Sequence, residues 1–149
     1  MKITSSTFVH NEDIPAKYTC EGENINPPLT FSEVPKESKS LVLIVDDPDA
    51  TGGKTFLHWL LYNIPPATMQ ILENSVPEGS TLGMTHFGKV SYGGPCPPSG
   101  KHRYFFKLFA LDMVLDLPEG ASREEVEAKM SGHDIATAEL IGLYGSNVV

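Results

Sequence analysis

The chain has few cysteines, only Cys20 and Cys96 among its 149 residues. Two thiols are too few for a disulfide framework, and too few to form a structural zinc site by themselves. Each cysteine lies beside a turn-rich segment, so the fold could bring the two together, although a reducing cytosol would argue against a disulfide. The sequence leaves the state of these two thiols open.

Basic residues are also scarce. The chain carries 11 Lys and Arg against 19 Asp and Glu, which gives a formal net charge of -8. Such a charge would repel the phosphate backbone of a nucleic acid over most of the protein surface. We therefore expect no nucleic-acid partner.

The sequence contains no long apolar run. No window approaches the roughly 20 apolar residues that a membrane-crossing helix needs, and "MKITSSTFVH" contains no uninterrupted apolar segment of a signal peptide. We therefore expect a cytoplasmic protein without a transmembrane segment. No repeat, charge block or low-complexity linker divides the chain, which predicts a single domain over 1–149.

Turns and strand-like runs, in contrast, are abundant, and 12 prolines with 13 glycines favour β structure. Three long apolar runs bounded by turn residues predict the central strands of a sheet: Ser40–Ala50, Thr55–Pro66 and His102–Leu117. Leu29–Val34 alternates apolar and polar residues, which predicts a strand with one buried face. Shorter strand candidates are Ile3–Phe8, Lys17–Cys20 and Phe87–Val90.

Helical patterns are confined to the end of the chain. Ser122 and Glu125 form a capping-box pattern and Gly132 follows the run, so we expect a helix between them. His133–Ser146 has a mixed apolar pattern that predicts a second helical stretch, running into a short strand near Leu143–Tyr144. The predicted fold class is therefore mostly β, with one or two short helices near the C-terminus.

Polar residues gather at the ends of the predicted central strands. Asp47 and Asp49 flank a proline, His58 lies inside an apolar strand, and His102 and Tyr104 are two apart and so share a face. The loop "YGGPCPPSG" precedes the last pair and offers backbone N–H groups. Each feature alone also suits a structural role, such as an Asx turn or a hydrogen-bonded buried histidine. Together they predict a compact set of hydrogen-bond donors for an anion.

The same histidines and aspartates could instead ligate a metal. A stable zinc site generally uses three or more protein ligands, and the chain has no HxH or HExxH spacing. We therefore expect neither a metal nor another cofactor.

Three motifs in order resemble the signature regions of the phosphatidylethanolamine-binding protein family, whose animal members are also called Raf kinase inhibitor proteins: "DDPDA", "HWLLYNIP" and "YGGPCPPSGKHRYFFKLFALD". The segment "IPAKYTCEGENINPPLTFSEVP" resembles the N-terminal part of the bacterial and archaeal branch. The resemblance runs from about Phe8 to Tyr144. It implies a large antiparallel sheet packed on a smaller one, and a small surface pocket for phosphate-like anions.

The resemblance also implies which residues bind the ligand: Asp47, His58, Gly94, Pro95, His102 and Tyr104. Asp49 and Pro97 match motif positions that shape the turns around the pocket. Asp47 has the wrong charge for an anion, so we expect it to hold an imidazole oriented or protonated, or to bind an ammonium or hydroxyl group of the ligand. Arg103 should point away from His102 and pair with a carboxylate.

The resemblance favours binding over catalysis and assigns no catalytic residue. Because similar proteins include inhibitors of kinases and of serine proteases, we expect regulation of such a partner through an exposed loop, Asn74–Gly83 or Asp49–Lys54. Bacterial-type members are often dimeric, which leaves a homodimer open. The alternative function is hydrolysis of small esters or phosphoesters, with Cys96, Ser91 or Ser99 as nucleophile, although the sequence shows no third orienting group.

Overall fold

The structure is a computed structural model that describes residues 1–145. Its strands are β1 (Lys2–Thr4), β2 (Glu12–Asp13), β3 (Leu29–Ser32), β4 (Ser40–Asp47), β5 (Phe56–Ile64), β6 (Gln70–Ile71), β7 (Thr81–Leu82), β8 (Lys101–Leu111) and β9 (Asp134–Gly145). The helices are a 3₁₀ turn at Ala16–Tyr18 and the α-helix α1 (Arg123–Met130).

The strands form two sheets. The larger sheet has the order β2-β9-β8-β4-β5-β7 and the smaller one β1-β3-β6. Neighbouring strands are antiparallel, except that β2 runs parallel to β9. The three long apolar runs became β4, β5 and β8, which lie side by side at the centre of the larger sheet as predicted. The mostly β fold with a larger and a smaller sheet is confirmed.

Each face of the larger sheet has its own core. On one face, Trp59 and Phe106 belong to a cluster with Phe31 of the smaller sheet. On the opposite face, Ile44 clusters with Val126 of α1. A strand buried on both faces needs apolar residues at most positions, which explains why apolar residues dominate β4 and β5.

The helix predicted after Ser122 is confirmed, together with its capping box. The Ser122 hydroxyl accepts from the Glu125 amide at 3.1 Å, and the Glu125 carboxylate accepts from the Ser122 amide at 3.0 Å. At the next residue, the Arg123 guanidinium lies 2.8 Å from Asp46 Oδ2 and so ties the start of α1 to the sheet. Among residues 1–145, no helix is long and apolar enough to pass through a bilayer.

The second helix predicted over His133–Ser146 is wrong, because Asp134–Gly145 forms the long strand β9 (Ser146 lies outside the described residues). Alternate residues of β9 pair with buried positions of β8; Leu140, for example, lies opposite Phe106. The alternation was missed because several residues on that side are small: Ala136, Ala138 and Gly142. Alanine is the best helix former and gives little hydrophobic contrast with its neighbours, so the period of two was weak.

The predictions of three shorter strands are wrong for two segments and right only for the start of the third. Phe87–Val90 is not a strand but part of a tight turn, closed by the Thr85 amide donating to the Lys89 carbonyl at 2.9 Å. Lys17–Cys20 contains the end of the 3₁₀ turn rather than a strand. In Ile3–Phe8 the strand stops at Thr4, where the Ser5 hydroxyl turns to donate to the Pro28 carbonyl at 2.7 Å.

Candidate functional site

A pocket of about 230 Å³ lies where β4 ends and where β5 and β8 begin. Its lining consists of Asp47, Ala50, Thr51, Phe56, His58, Phe87, Cys96, Pro97, Pro98, His102 and Tyr104. Four of the six residues predicted to bind a ligand are thus brought together, from three different strands. Gly94 and Pro95 are not part of this lining. Phe56, Phe87 and Thr51 also line the pocket, although no sequence pattern pointed to them.

A β-bulge positions His58. Val45 of β4 pairs with Trp59 of β5, and the next residue, Asp46, pairs with Leu57, so His58 is the extra residue. The bulge allows the adjacent side chains of His58 and Trp59 to lie on the same side of the sheet, one in the pocket and the other in the core. The pocket histidine therefore depends on an irregularity that the sequence pattern does not reveal.

The His58 ring is fixed by the loop before β8. Its Nδ1 lies 2.7 Å from the Gly93 carbonyl oxygen, which can only accept, so Nδ1 carries the hydrogen. In the neutral ring, Nε2 is then an acceptor. Burial lowers the pKa of His58, and the Gly93 hydrogen bond and the charge of Asp47 oppose this only in part. The ring is therefore neutral at neutral pH, and acid converts Nε2 into a charged donor.

Aromatic rings surround His58. Its ring centroid lies 5.2 Å from that of Tyr104, 5.1 Å from Phe56 and 5.3 Å from Phe87, each in an edge-on arrangement. The Phe87 ring fits because Gly93 has no side chain, since a Cβ there would lie 2.2 Å from Phe87 Cε2. These rings exclude water and give the histidine its apolar surroundings.

Asp47 and His102 form a buried pair beside His58. Asp47 Oδ2 lies 2.6 Å from His102 Nδ1, and the side chains are 4% and 10% exposed. The other carboxylate oxygen accepts from the Asp49 amide at 2.7 Å, and His102 Nε2 lies 3.1 Å from the Ser99 carbonyl. Both ring nitrogens of His102 thus face acceptors, which suits a doubly protonated imidazolium. In this conformation, Asp47 orients an imidazole, and His102 has no free nitrogen for a ligand.

Tyr104 supplies an uncharged hydroxyl. Its ring is buried and stacks over His102 with the centroids 6.4 Å apart. Burial, followed by the negative charges of Asp47 and Asp49, raises the pKa of Tyr104 far above its ordinary value. The phenol therefore keeps its proton at all physiological pH values and can donate a hydrogen bond to a ligand.

Gly94 and Pro95 support the pocket from behind. The Gly94 amide donates to Asn24 Oδ1 at 2.8 Å, and the Pro95 carbonyl accepts from the Cys20 amide at 3.1 Å. Nearby, the Tyr92 hydroxyl donates to the Tyr18 carbonyl at 2.8 Å. The Gly94 amide, expected from the resemblance to lie near the ligand, is therefore engaged within the protein, and it helps to hold the loop.

Asp49, in the turn after β4, and Arg103, in β8, form an exposed ion pair. Arg103 donates to Asp49 through Nε at 2.8 Å and Nη2 at 2.9 Å, and its amide donates to the same carboxylate at 3.0 Å. Asp49 is thus held in place at the rim and Arg103 has a carboxylate partner. Pro97, expected only to shape the turn, lines the pocket.

Cys20 and Cys96 are joined by a disulfide, a pairing that the sequence left open. Cys96 therefore has no free thiol to act as the nucleophile of the alternative hydrolase hypothesis. Disulfides are typical of oxidising compartments and of proteins from hyperthermophiles, so location in the cytoplasm stays a prediction. Within the described part of the chain, no group of three or more His, Cys, Asp or Glu side chains is placed to hold a metal ion.

Known proteins resemble this chain over nearly its whole length. Residues 4–145 match the model of the family described as phosphatidylethanolamine-binding protein. A UPF0098 protein of Methanothermobacter thermautotrophicus is 51% identical, over 97% of this chain and 98% of its own. A UPF0098 protein of Aquifex aeolicus is 52% identical, over 97% and 88%.

Two crystal structures are similar over nearly the whole chain. A phosphatidylethanolamine-binding protein homologue of Chlamydia trachomatis has a TM-score of 0.93 and 44% identity, with 97% of each chain covered. YbcL of E. coli, described as a member of the mammalian family, has a TM-score of 0.90 and 32% identity over 97% of this chain and 98% of its own. The chain therefore belongs to the phosphatidylethanolamine-binding protein family.

Proposed function

We propose that this pocket binds a small phosphate-like or carboxylate anion, and that binding regulates a partner protein such as a kinase or a serine protease. The observation that supports anion binding is the environment of His58. His58 Nδ1 donates to the Gly93 carbonyl, which leaves Nε2 as the ring nitrogen for a ligand. The ring lies in an aromatic pocket beside the Tyr104 hydroxyl. An anion offers this histidine the negative partner that would favour its charged form.

Two donors would hold the anion. Protonated His58 would donate through Nε2 and Tyr104 through its hydroxyl, and a hydrogen bond that involves a charged group contributes about 1.5–3 kcal/mol. The negative charge of Asp47 opposes anion entry. Its two oxygens are already engaged by His102 and by the Asp49 amide, and a protonated His102 would neutralise its charge.

Sulfate affinity is expected to rise as the pH falls. Sulfate keeps its double negative charge between pH 8 and pH 5, so only the protein titrates. Burial lowers the pKa of His58, so protonation lies below the ordinary value of about 6.5, and the donor form is lost as pH rises through that lowered pKa. From pH 8 to pH 5, we expect a 10- to 100-fold gain, roughly one charge-assisted hydrogen bond, measured by titration calorimetry.

Two histidine variants identify the group that titrates. His58→Asn removes the titrating ring and should flatten the pH dependence, whereas His133→Asn should leave it unchanged, since His133 pairs with Asp112 and is absent from the pocket lining. Equal sulfate affinity at pH 5 and pH 8 in the native protein would contradict the proposed anion site.

The regulatory part of the proposal draws on the position of one loop. Ala50 and Thr51 belong both to the exposed loop Asp49–Lys54 and to the pocket lining, so an anion would contact the loop that a partner could dock on. Inhibition assays against panels of serine proteases and kinases, with and without sulfate at pH 6, would test this. Loss of inhibition after replacement of Thr51–Lys54 by glycine and serine is the expected result. The homodimer stays a prediction that sedimentation can check.

A further inference from the structure

The disulfide lies at the surface, between two cavities. Cys20 and Cys96 are both exposed. Cys96 lines the anion pocket and also a neighbouring cavity of about 310 Å³, to which Cys20, Lys89 and Ser91 contribute. A dissolved thiol can therefore approach the bridge from solvent, which is the access that thiol–disulfide exchange requires.

The loop before β8 is held firmly at its start and weakly after Cys96. Residues 92–95 are fixed through the Tyr92 hydroxyl, the Gly93 amide and carbonyl, the Gly94 amide and the Pro95 carbonyl. Among residues 1–145, segment 96–99 has a single hydrogen bond outside the strand ladders, in which the Ser99 carbonyl accepts from His102 Nε2. The segment is thus held between the disulfide at Cys96 and the β8 ladder at Lys101, and of these two only the disulfide can be opened by a thiol.

We propose that the Cys20–Cys96 bridge is a thiol-exchange site, and that its reduction frees segment 96–99 and so releases His102 for the ligand. With the Ser99 carbonyl withdrawn, Nε2 of an imidazolium that remains paired with Asp47 becomes a third donor in the pocket. One more charge-assisted hydrogen bond corresponds to about tenfold tighter anion binding. The affinity part rests on the proposed anion site, whereas the release of the loop does not.

The exchange needs a dithiol as the reductant. One of its thiolates attacks Cys96 Sγ, the Cys20–Cys96 bond breaks, a mixed disulfide forms and Cys20 leaves as a thiolate. The second thiolate of the reagent then attacks its own sulfur in the mixed disulfide, which releases Cys96 and closes the oxidised cyclic reagent. Two electrons pass from the dithiol to the bridge, and the two protons end on Cys20 and Cys96.

Three measurements test the proposal on the whole chain. Native protein is treated with dithiothreitol without denaturant and then with iodoacetamide, and mass spectrometry is expected to find two added labels. NMR order parameters of the Ser99 and Gly100 amides should then fall, while those of Gly93 and Gly94, whose amides are hydrogen-bonded, stay unchanged. Sulfate titration at pH 6 should show about tenfold tighter binding by the reduced protein, a gain that His102→Asn removes.

The Cys20→Ser/Cys96→Ser variant gives the unbridged state without reagent. If this variant fails to fold, the reduced native protein takes its place in the comparison, and circular dichroism shows whether that protein is folded. A bridge that resists dithiothreitol in the folded protein, or unchanged order parameters at Ser99 and Gly100, would overturn the proposal. Lower order parameters with unchanged or weaker sulfate binding would overturn the release of His102. If neither form binds sulfate, the anion site fails, and the order parameters still decide whether the bridge holds the loop.

Discussion

Replacing Asp46 by alanine is expected to lower the free energy of unfolding by about 3 kcal/mol. The side chain is fully buried, and its Oδ2 lies 2.8 Å from Arg123 Nη2 and 3.0 Å from Lys107 Nζ. Removal of the carboxylate leaves Lys107 without its anion and Arg123 with only a 3.4 Å contact to the half-exposed Glu127, and the Arg123 side chain, 16% exposed, is the one that water can reach least. The start of α1 also loses its connection to the sheet.

Urea unfolding curves would measure this change, with Asp116→Ala as the control. Asp116 is exposed, so its replacement should change stability by no more than about 0.5 kcal/mol. Adding Arg123→Met to Asp46→Ala removes the guanidinium that has lost its buried partner and should recover part of the loss, because an apolar replacement of a buried ion pair is often well tolerated. A loss below about 1 kcal/mol for Asp46→Ala would show that the three charges contribute little to stability.

The part of the fold that the sequence could predict is the part with strong hydrophobic contrast. β4 and β5 were visible because both of their faces are buried, and β3 because Leu29 and Phe31 alternate with exposed residues. β9 was misread because close packing, such as that of Gly142 against Ile14, demands small residues where a hydrophobic pattern needs large ones. Two-residue strands such as β2 depend on tertiary pairing alone and leave no local pattern.

The candidate site also has a part that the sequence could predict and a part that it could not. Strand ends that carry Asp47, His58 and Tyr104 could be recognised from the sequence, and the structure places them around one pocket. The hydrogen-bond partners could not be predicted, because they are backbone carbonyls whose positions depend on loop conformation. The Gly93 carbonyl sets the tautomer of His58, and the Ser99 carbonyl occupies His102. Sequence motifs therefore indicate which side chains meet, whereas the loop backbone decides which of their atoms remain available.

Replacing Gly94 by alanine is expected to lower the free energy of unfolding by about 3 kcal/mol. A Cβ at this position would lie 2.3 Å from the Tyr18 carbonyl oxygen, 2.6 Å from Asn24 Oδ1 and 2.9 Å from Thr19 Cα. Two of these atoms belong to the backbone, and the Cys20–Cys96 bridge ties that segment to the same loop, so neither side can withdraw easily. Thermal or urea unfolding would measure the loss.

Gly52→Ala is a useful comparison because it separates steric overlap from backbone strain. Gly52 has a φ of +90° but no atom within 4 Å of a Cβ, so alanine there should lower stability by about 1 kcal/mol through strain alone. A loss for Gly94→Ala no larger than this would contradict the packing role. If the ligand instead lay against Gly94, the added Cβ would meet the ligand, and the variant would keep its stability and lose sulfate affinity at pH 5. The packing role predicts the reverse order, because the Asn24 side chain already accepts that amide, and any loss of affinity must follow from displacement of the Gly93 carbonyl that orients His58.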